Sequence, residues 1–286
     1  MIEMPAFRYT ILIITLLFFG CKDEGDAFDH NHNDAYQITK SITYNGVSVD
    51  LIIDKPGASE FDVLLVFRGT VRRDSLILQA SQNALERFKG ILDRKDMMIV
   101  SVAYPEENLL FGDNIQHAEA ALLWLKNDAE SELEITVNRI FLAGHSQGGY
   151  LVTRLNTMHQ TAGVIANAPG PLNLVFRCQL EENGQIPNEM ECSVLYDEYG
   201  SVTSNPDAYY ERSLLNFTAG YQSDILFVQG LEDGPIHMHS WPQFKEQVES
   251  CTDCESNYFL ELPGFGHAAL FYSVQAIIEF NNFIDR

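Results

Sequence analysis

The segment from Arg139 to Gly149 reads RIFLAGHSQGG, an apolar run of strand length that ends in Gly144-His145-Ser146-Gln147-Gly148-Gly149 and passes directly into an apolar helix from Tyr150. Few patterns restrict a fold as closely. A strand that turns into a helix within so few residues needs a tight corner, and side chains at Gly144 or Gly148 would collide with the neighbouring strand and helix. Ser146 is then expected to hold its hydroxyl free at the carboxyl edge of a sheet, with the amide of Gln147 at the helix start placed to donate to an oxyanion.

The rest of the chain supplies that sheet. Apolar runs of strand length recur at Val63 to Phe67, Met97 to Ala103, Ile140 to Ala143, Val164 to Ala166, Ile225 to Val228 and Tyr258 to Leu262. Most intervals between them read as helices. From Asn114 to Leu125 the apolar residues Ile115, Ala118, Ala121, Leu122 and Leu125 fall at the spacing of one helical face. Doubly buried strands separated by such helices predict an α/β domain with a mostly parallel central sheet and helices on both faces. Ahead of it, alternating runs at Ile38 to Tyr44 and Val47 to Asp54 flank Asn45-Gly46, which predicts a hairpin. One interval is too long for a loop: Gly170 to Ser223 reads as an inserted lid, and Phe176, Tyr196, Tyr199, Tyr209 and Tyr210 are candidates for its apolar inner wall, each read as lid core ahead of substrate contact.

The N-terminus sets the expected compartment. Thr10 to Gly20 is apolar, follows Arg8 and ends at Cys21, and it is too short to span a bilayer as a helix. It reads as the h-region of a signal peptide over residues 1–20, and Gly20-Cys21 resembles the lipobox of bacterial lipoproteins, in which Cys21 would carry the lipid. Lys22, Asp23 and Glu24 resemble a surface-export signal, so the expectation is an exported lipoprotein of the outer membrane, on its periplasmic or cell-surface face, touching membrane through the lipid alone. Residues 21–36 read as an acidic tether and 37–286 as the folded domain. A net charge of −22 repels phosphate backbones and excludes nucleic acid as a natural partner.

Four further cysteines remain, and export favours disulfides among them. Short separations favour Cys178 with Cys192 and Cys251 with Cys254, the first closing a loop in the lid for about 3 kcal/mol in the chain-entropy model. Cys251-Thr-Asp-Cys254 as half a zinc site lacks a second ligand pair nearby, so no metal is expected.

A serine hydroxyl needs a base, and the base an orienting carboxylate. After the run ILFVQG comes Leu231-Glu232-Asp233, and after NYFLELPG comes Phe265-Gly266-His267, each at the mouth of a strand. Asp233 and His267 are therefore the candidate partners of Ser146. The second oxyanion donor is expected after VLLVF, at Arg68-Gly69-Thr70, and is assigned to the Thr70 amide; Arg68 is left either as a hydrogen bonder beneath the site or as the partner of an acid. His237 and His239 read as polar surface residues at a helix start.

From about Phe61 onward the chain resembles the α/β-hydrolase superfamily, whose triad order is Ser, acid, His. More narrowly it resembles the catalytic domain of the prolyl oligopeptidase family, through Gly144-His145-Ser146-Gln147-Gly148-Gly149, the run Asn205-Pro206-Asp207-Ala208-Tyr209-Tyr210-Glu211-Arg212-Ser213, and Gly230-Leu231-Glu232-Asp233. About forty residues between Cys21 and the hydrolase strands leave no room for that family's propeller. The resemblance implies a serine hydrolase without cofactor, acting on a small ester, an acylated carbohydrate or a peptide. A catalytically silent binding module on the same fold is the alternative.

Overall fold

Asn45 and Gly46 take φ of 49° and 83° in the turn that joins β1 (Tyr36–Tyr44) to β2 (Val47–Lys55). Two successive positive φ angles match the twist of the strands they connect, and the pair is antiparallel from end to end. In the computed structural model the described residues are 34–286. The signal-like run, Cys21 and the tether as far as Asn33 lie outside them.

β3 (Glu60–Phe67) shows why the strands read as unbroken apolar runs. Phe61, Val63, Leu65 and Phe67 enter the core on one face of the sheet, Leu64 and Val66 the core on the other. A strand buried on both faces belongs to the interior of a parallel sheet. α1 (Ile77–Ile91) crosses to β4 (Met98–Ala103), then α2 (Ile115–Asn127) and α3 (Ala129–Leu133) precede β5 (Thr136–His145), and α4 (Gln147–Met158) leads to β6 (Gly163–Asn167). The insertion carries α5 (Leu174–Glu182), α6 (Met190–Tyr199) and α7 (Pro206–Tyr210). β7 (Ile225–Gly230), α8 (Pro235–Glu249), β8 (Asn257–Leu262), α9 (Ala269–Tyr272) and α10 (Val274–Ile284) complete the chain.

The eight strands run in the order β1-β2-β4-β3-β5-β6-β7-β8. Pairs from β4 to β8 are parallel, whereas β2 lies antiparallel to both β1 and β4. Leu122 and Leu125 of α2, Leu151 of α4 and Trp241 of α8 share one core, and Phe88 of α1, Leu270 of α9 and Phe280 of α10 share the other. Helices thus cover both faces. Among the described residues no helix is long and apolar enough to cross a membrane.

The insertion is tied down at both ends. The Gly170 N–H donates to the Ser146 carbonyl at 3.2 Å, and the amides of Leu214 and Leu215 donate to the carbonyls of Pro171 and Leu172 at 3.1 and 3.0 Å. Ser213 fastens the same junction, its hydroxyl accepting from Leu174 N and donating to the Tyr209 carbonyl. Arg212 reaches the body of the domain at the Phe111 carbonyl and Asp113. The run Asn205 to Ser213 therefore closes the insertion against the segment that precedes α2. Both disulfides form, Cys178–Cys192 and Cys251–Cys254, so the sulfurs of Cys251 and Cys254 are committed to each other.

None of the five aromatic residues named in the lid lines the cavities at Ser146, and Tyr209 is lid core. Tyr209 is buried among the insertion's own helices, Tyr196 and Tyr210 are 53% and 39% exposed, Tyr199 accepts from Arg212, and Phe176 stacks on His239 with ring centroids 3.8 Å apart. An insertion this small needs its large side chains for its own packing. The insertion's wall facing Ser146 comes from the segment Leu172, Asn173 and Leu174, with Arg177 and Glu191.

Candidate active site

Ser146 has φ 58° and ψ −119°, a left-handed conformation that a side-chain-bearing residue adopts only where its surroundings enforce it. The surroundings are backbone. A Cβ on Gly144 would lie 2.1 Å from the Gly148 carbonyl oxygen, and one on Gly148 would lie 2.2 Å from that of Phe67. The corner between β5 and α4 closes only because both positions are glycine. Its close neighbour is Gly69, where a Cβ would stand 3.3 Å from that of Ser146.

Asp233 and His267 come from the loops after β7 and β8, and Asp233 Oδ2 and His267 Nδ1 are 2.8 Å apart. Gly230 permits this meeting, since a Cβ there would be 2.2 Å from the Gly266 carbonyl oxygen. The rival acid Glu232 stays exposed. Asp233 also accepts from Gln229 Nε2 at 3.1 Å and from Gly234 N at 2.6 Å. Burial alone would raise its carboxyl, but the His267 hydrogen bond, the His237 and His267 charges and the Gln229 amide hold it at about 2. Ser146, His267 and Thr70 line one cavity of about 300 Å³, walled by Leu172, Leu174 and Arg177 of the insertion and by His237. The same three residues line a second, of about 700 Å³, on the α1 side beside Arg87 and Phe271.

The loop that carries Thr70 is held by a buried ion pair. Arg68, 2% exposed, places Nη1 2.9 Å from Glu106 Oε2 and donates to the carbonyls of Gly69 and Tyr104. The same carboxylate oxygen accepts from Val71 N at 2.7 Å. Burial raises the Glu106 carboxyl, against the pull of Arg68 and the Val71 amide. Arg68 is thus both a hydrogen bonder beneath the site and the partner of an acid. Together these bonds fix the loop in which Thr70 is exposed to both cavities, and Gln147 is the first residue of α4, where amides have no partner within the helix.

Three residues at the site escaped the sequence reading. Asn167 ends β6, donates to His145 Nδ1 at 2.7 Å and accepts from Leu270 N at 3.2 Å, joining β5 to the helix α9 that follows His267. Burial, with the His267 and Arg87 charges nearby, pushes His145 down to about 3. Gln229 ends β7 and holds Asp233 as described. His237, placed at the surface by the sequence, accepts a position between Gln229 and Trp241 with its side chain only 12% exposed. His239 is exposed, as read from the sequence, and its ring stacks on Phe176. Asn and Gln at the carboxyl ends of strands that are otherwise apolar are a signal the sequence does carry, because ligands gather outside those ends.

A family profile described as the alpha/beta hydrolase fold matches residues 79–180. A Rhizomucor miehei esterase structure superposes with a TM-score of 0.63 at 14% identity, over 88% of this chain and 82% of that one. The chain has the α/β-hydrolase fold. A hyperthermophilic esterase from Pyrobaculum calidifontis aligns at 0.62 and 13% identity, over 87% of this chain and 84% of that one. Acylaminoacyl peptidase from Pyrococcus horikoshii aligns at 0.61 and 14% identity over 88% of this chain, which spans only 42% of the peptidase. No curated protein matches the sequence. On this α/β-hydrolase sheet, Ser146, Asp233 and His267 occupy the carboxyl ends of β5, β7 and β8.

Proposed function

We propose that the protein is a serine hydrolase that cleaves an ester or amide through an acyl-enzyme on Ser146. The observation that carries this reading is the 2.8 Å pairing of buried Asp233 with His267 at the cavity that Ser146 enters. Asp233 keeps a proton on His267 Nδ1, which leaves Nε2 to take the Ser146 proton as its oxygen attacks the substrate carbonyl. The amides of Gln147 and Thr70 hold the oxyanion. The imidazolium then gives that proton to the departing alcohol or amine. A water molecule, deprotonated by the same nitrogen, releases the acid and restores the serine.

Ester substrates are favoured over peptides. The esterases align over most of their own length, whereas the peptidase shares with this chain less than half of its length. Esters also tolerate a plainer site, since an amine is the poorer leaving group and needs a well-placed acid. Parallel assays with aryl acetates, acetylated sugars and proline-containing peptide amides test the preference. Turnover of the esters is expected; turnover of the peptides alone would reverse it. The lipobox-like sequence at Cys21 supports an exported, lipid-anchored enzyme, whose substrates would be met outside the cytosol.

A further inference from the structure

The serine chemistry makes no use of His237, yet this side chain lies on the wall of the cavity that Ser146 and His267 share. Its protonation follows from its neighbours. Gln229 Nε2 sits 3.1 Å from Asp233 Oδ2 and 2.8 Å from the Gly230 carbonyl oxygen, two groups that only accept, so the amide orientation is determined. Gln229 Oε1 therefore faces His237 Nε2 at 2.9 Å, and a carbonyl oxygen requires the proton to be on that nitrogen. Burial, opposed by the Asp233 charge and reinforced by that of His267, pushes His237 down to about 4, so the ring is neutral at pH 7. A neutral imidazole protonated on Nε2 has a bare acceptor at Nδ1.

That acceptor is open. Among the described residues Nδ1 has no hydrogen-bond donor, and it stands next to Gly170, where a Cβ would come within 3.3 Å of it. The His237 and His267 ring centroids are 6.0 Å apart, so a group at Nδ1 is within a few bonds of the carbonyl that Ser146 attacks. The cavity is polar elsewhere too: Glu191 lines it, and so does Arg177, whose Nε is engaged by Glu181 while its terminal nitrogens have no partner among the described residues. Cys178–Cys192 joins the residues immediately after these two and so holds them together. The acyl part of a substrate stays on Ser146 through both steps, and the smaller cavity, walled by the insertion, suits it.

Resting on the serine hydrolase reading, we propose that His237 is a specificity-determining residue whose Nδ1 accepts a hydrogen bond from an N–H or O–H near the scissile carbonyl, on the acyl side. The site then selects acyl groups bearing an amide or hydroxyl donor over plain hydrocarbon chains.

Two matched pairs of nitrophenyl esters test this: N-acetylglycinate against 4-oxopentanoate, which exchanges NH for CH2, and 3-hydroxypropanoate against butanoate, which exchanges OH for CH3. The wild-type protein is expected to prefer the donor by about tenfold in kcat/KM in at least one pair, the size of one net hydrogen bond. The pair that shows it tells N–H from O–H. His237→Gln retains a donor for Gln229 but has no atom at Nδ1, and the preference should fall to about unity whatever the absolute rate. His237→Asn puts an oxygen near the Nδ1 position and should keep the preference while slowing every substrate. Equal rates within both pairs for the wild-type protein, or an undiminished preference in His237→Gln, overturn the assignment. If these equal rates accompany labelling of Ser146 by a fluorophosphonate, the serine hydrolase reading survives; a folded protein with neither labelling nor turnover overturns both.

Discussion

Ser146→Ala is expected to lower kcat/KM for aryl esters by about 10⁴- to 10⁶-fold, because removing the nucleophile leaves only the oxyanion donors and substrate binding to act. Asp233→Asn should cost about 10⁴-fold through the wrong tautomer of the base. The two are expected to fail together rather than to add, since the residues act as one unit. The double variant should therefore be little slower than Ser146→Ala alone. Circular dichroism checks that each variant is folded. The pH dependence of Asp233 has a definite sign. Its carboxyl is held at about 2, below the roughly 3.9 of an unfolded aspartate, so the stabilisation it contributes is complete above about pH 4 and lost as pH falls towards 2. A loss of rate at higher pH that reverses on neutralisation has to arise from another group.

Gly148→Ala is expected to be among the most damaging single methyl groups that can be added at a described glycine. Its Cβ would stand 2.2 Å from the Phe67 carbonyl oxygen and 2.6 Å from that of Arg68, both backbone atoms of the central strand and of the loop that fixes Thr70. Neither can yield without moving β3 from α4. The cost should be about 3 kcal/mol or more, at the upper end for overpacking, read as a lower midpoint in urea unfolding. Gly144→Ala, with Gly148 O at 2.1 Å, should behave alike. Gly90 is the control: nothing lies within 4 Å of its added Cβ, and it sits inside α1, so alanine there should be neutral or stabilise by up to about 1 kcal/mol. Equal stability of Gly148→Ala and the wild-type protein would mean that the corner is looser than described.

Much of this geometry was legible in the sequence because it depends on local rules. The glycines around Ser146 announce a close approach, apolar runs of strand length announce double burial, and Asn45-Gly46 announces two positive φ angles. Asp233 and His267 were legible by their place after strands, since a sheet brings the ends of its strands together whatever the distance in sequence. Contacts set by the third dimension were not. Nothing in Pro-Ile-His-Met-His distinguishes His237, which meets Gln229, from a residue facing water, because the meeting depends on how the first turn of α8 lies against the end of β7. Glu106 is 38 residues from Arg68, on a loop without a motif, so the acid that pairs with Arg68 had no signature. The aromatic residues of the insertion left two readings open for a related reason: their number shows that something must be packed, without showing whether it is substrate or the insertion itself.

The central claim is that Ser146 is a nucleophile activated by His267 and Asp233. Labelling with a fluorophosphonate, followed by peptide mapping, tests it most directly, because the probe phosphonylates a serine only where a base and an oxyanion site act on it together. One adduct per chain is expected, on the peptide containing Gly144-His145-Ser146, with no adduct in Ser146→Ala and a greatly slowed reaction in Asp233→Asn. A folded wild-type protein that remains unlabelled, or an adduct that persists in Ser146→Ala, would contradict the claim and leave the fold serving as a binding module.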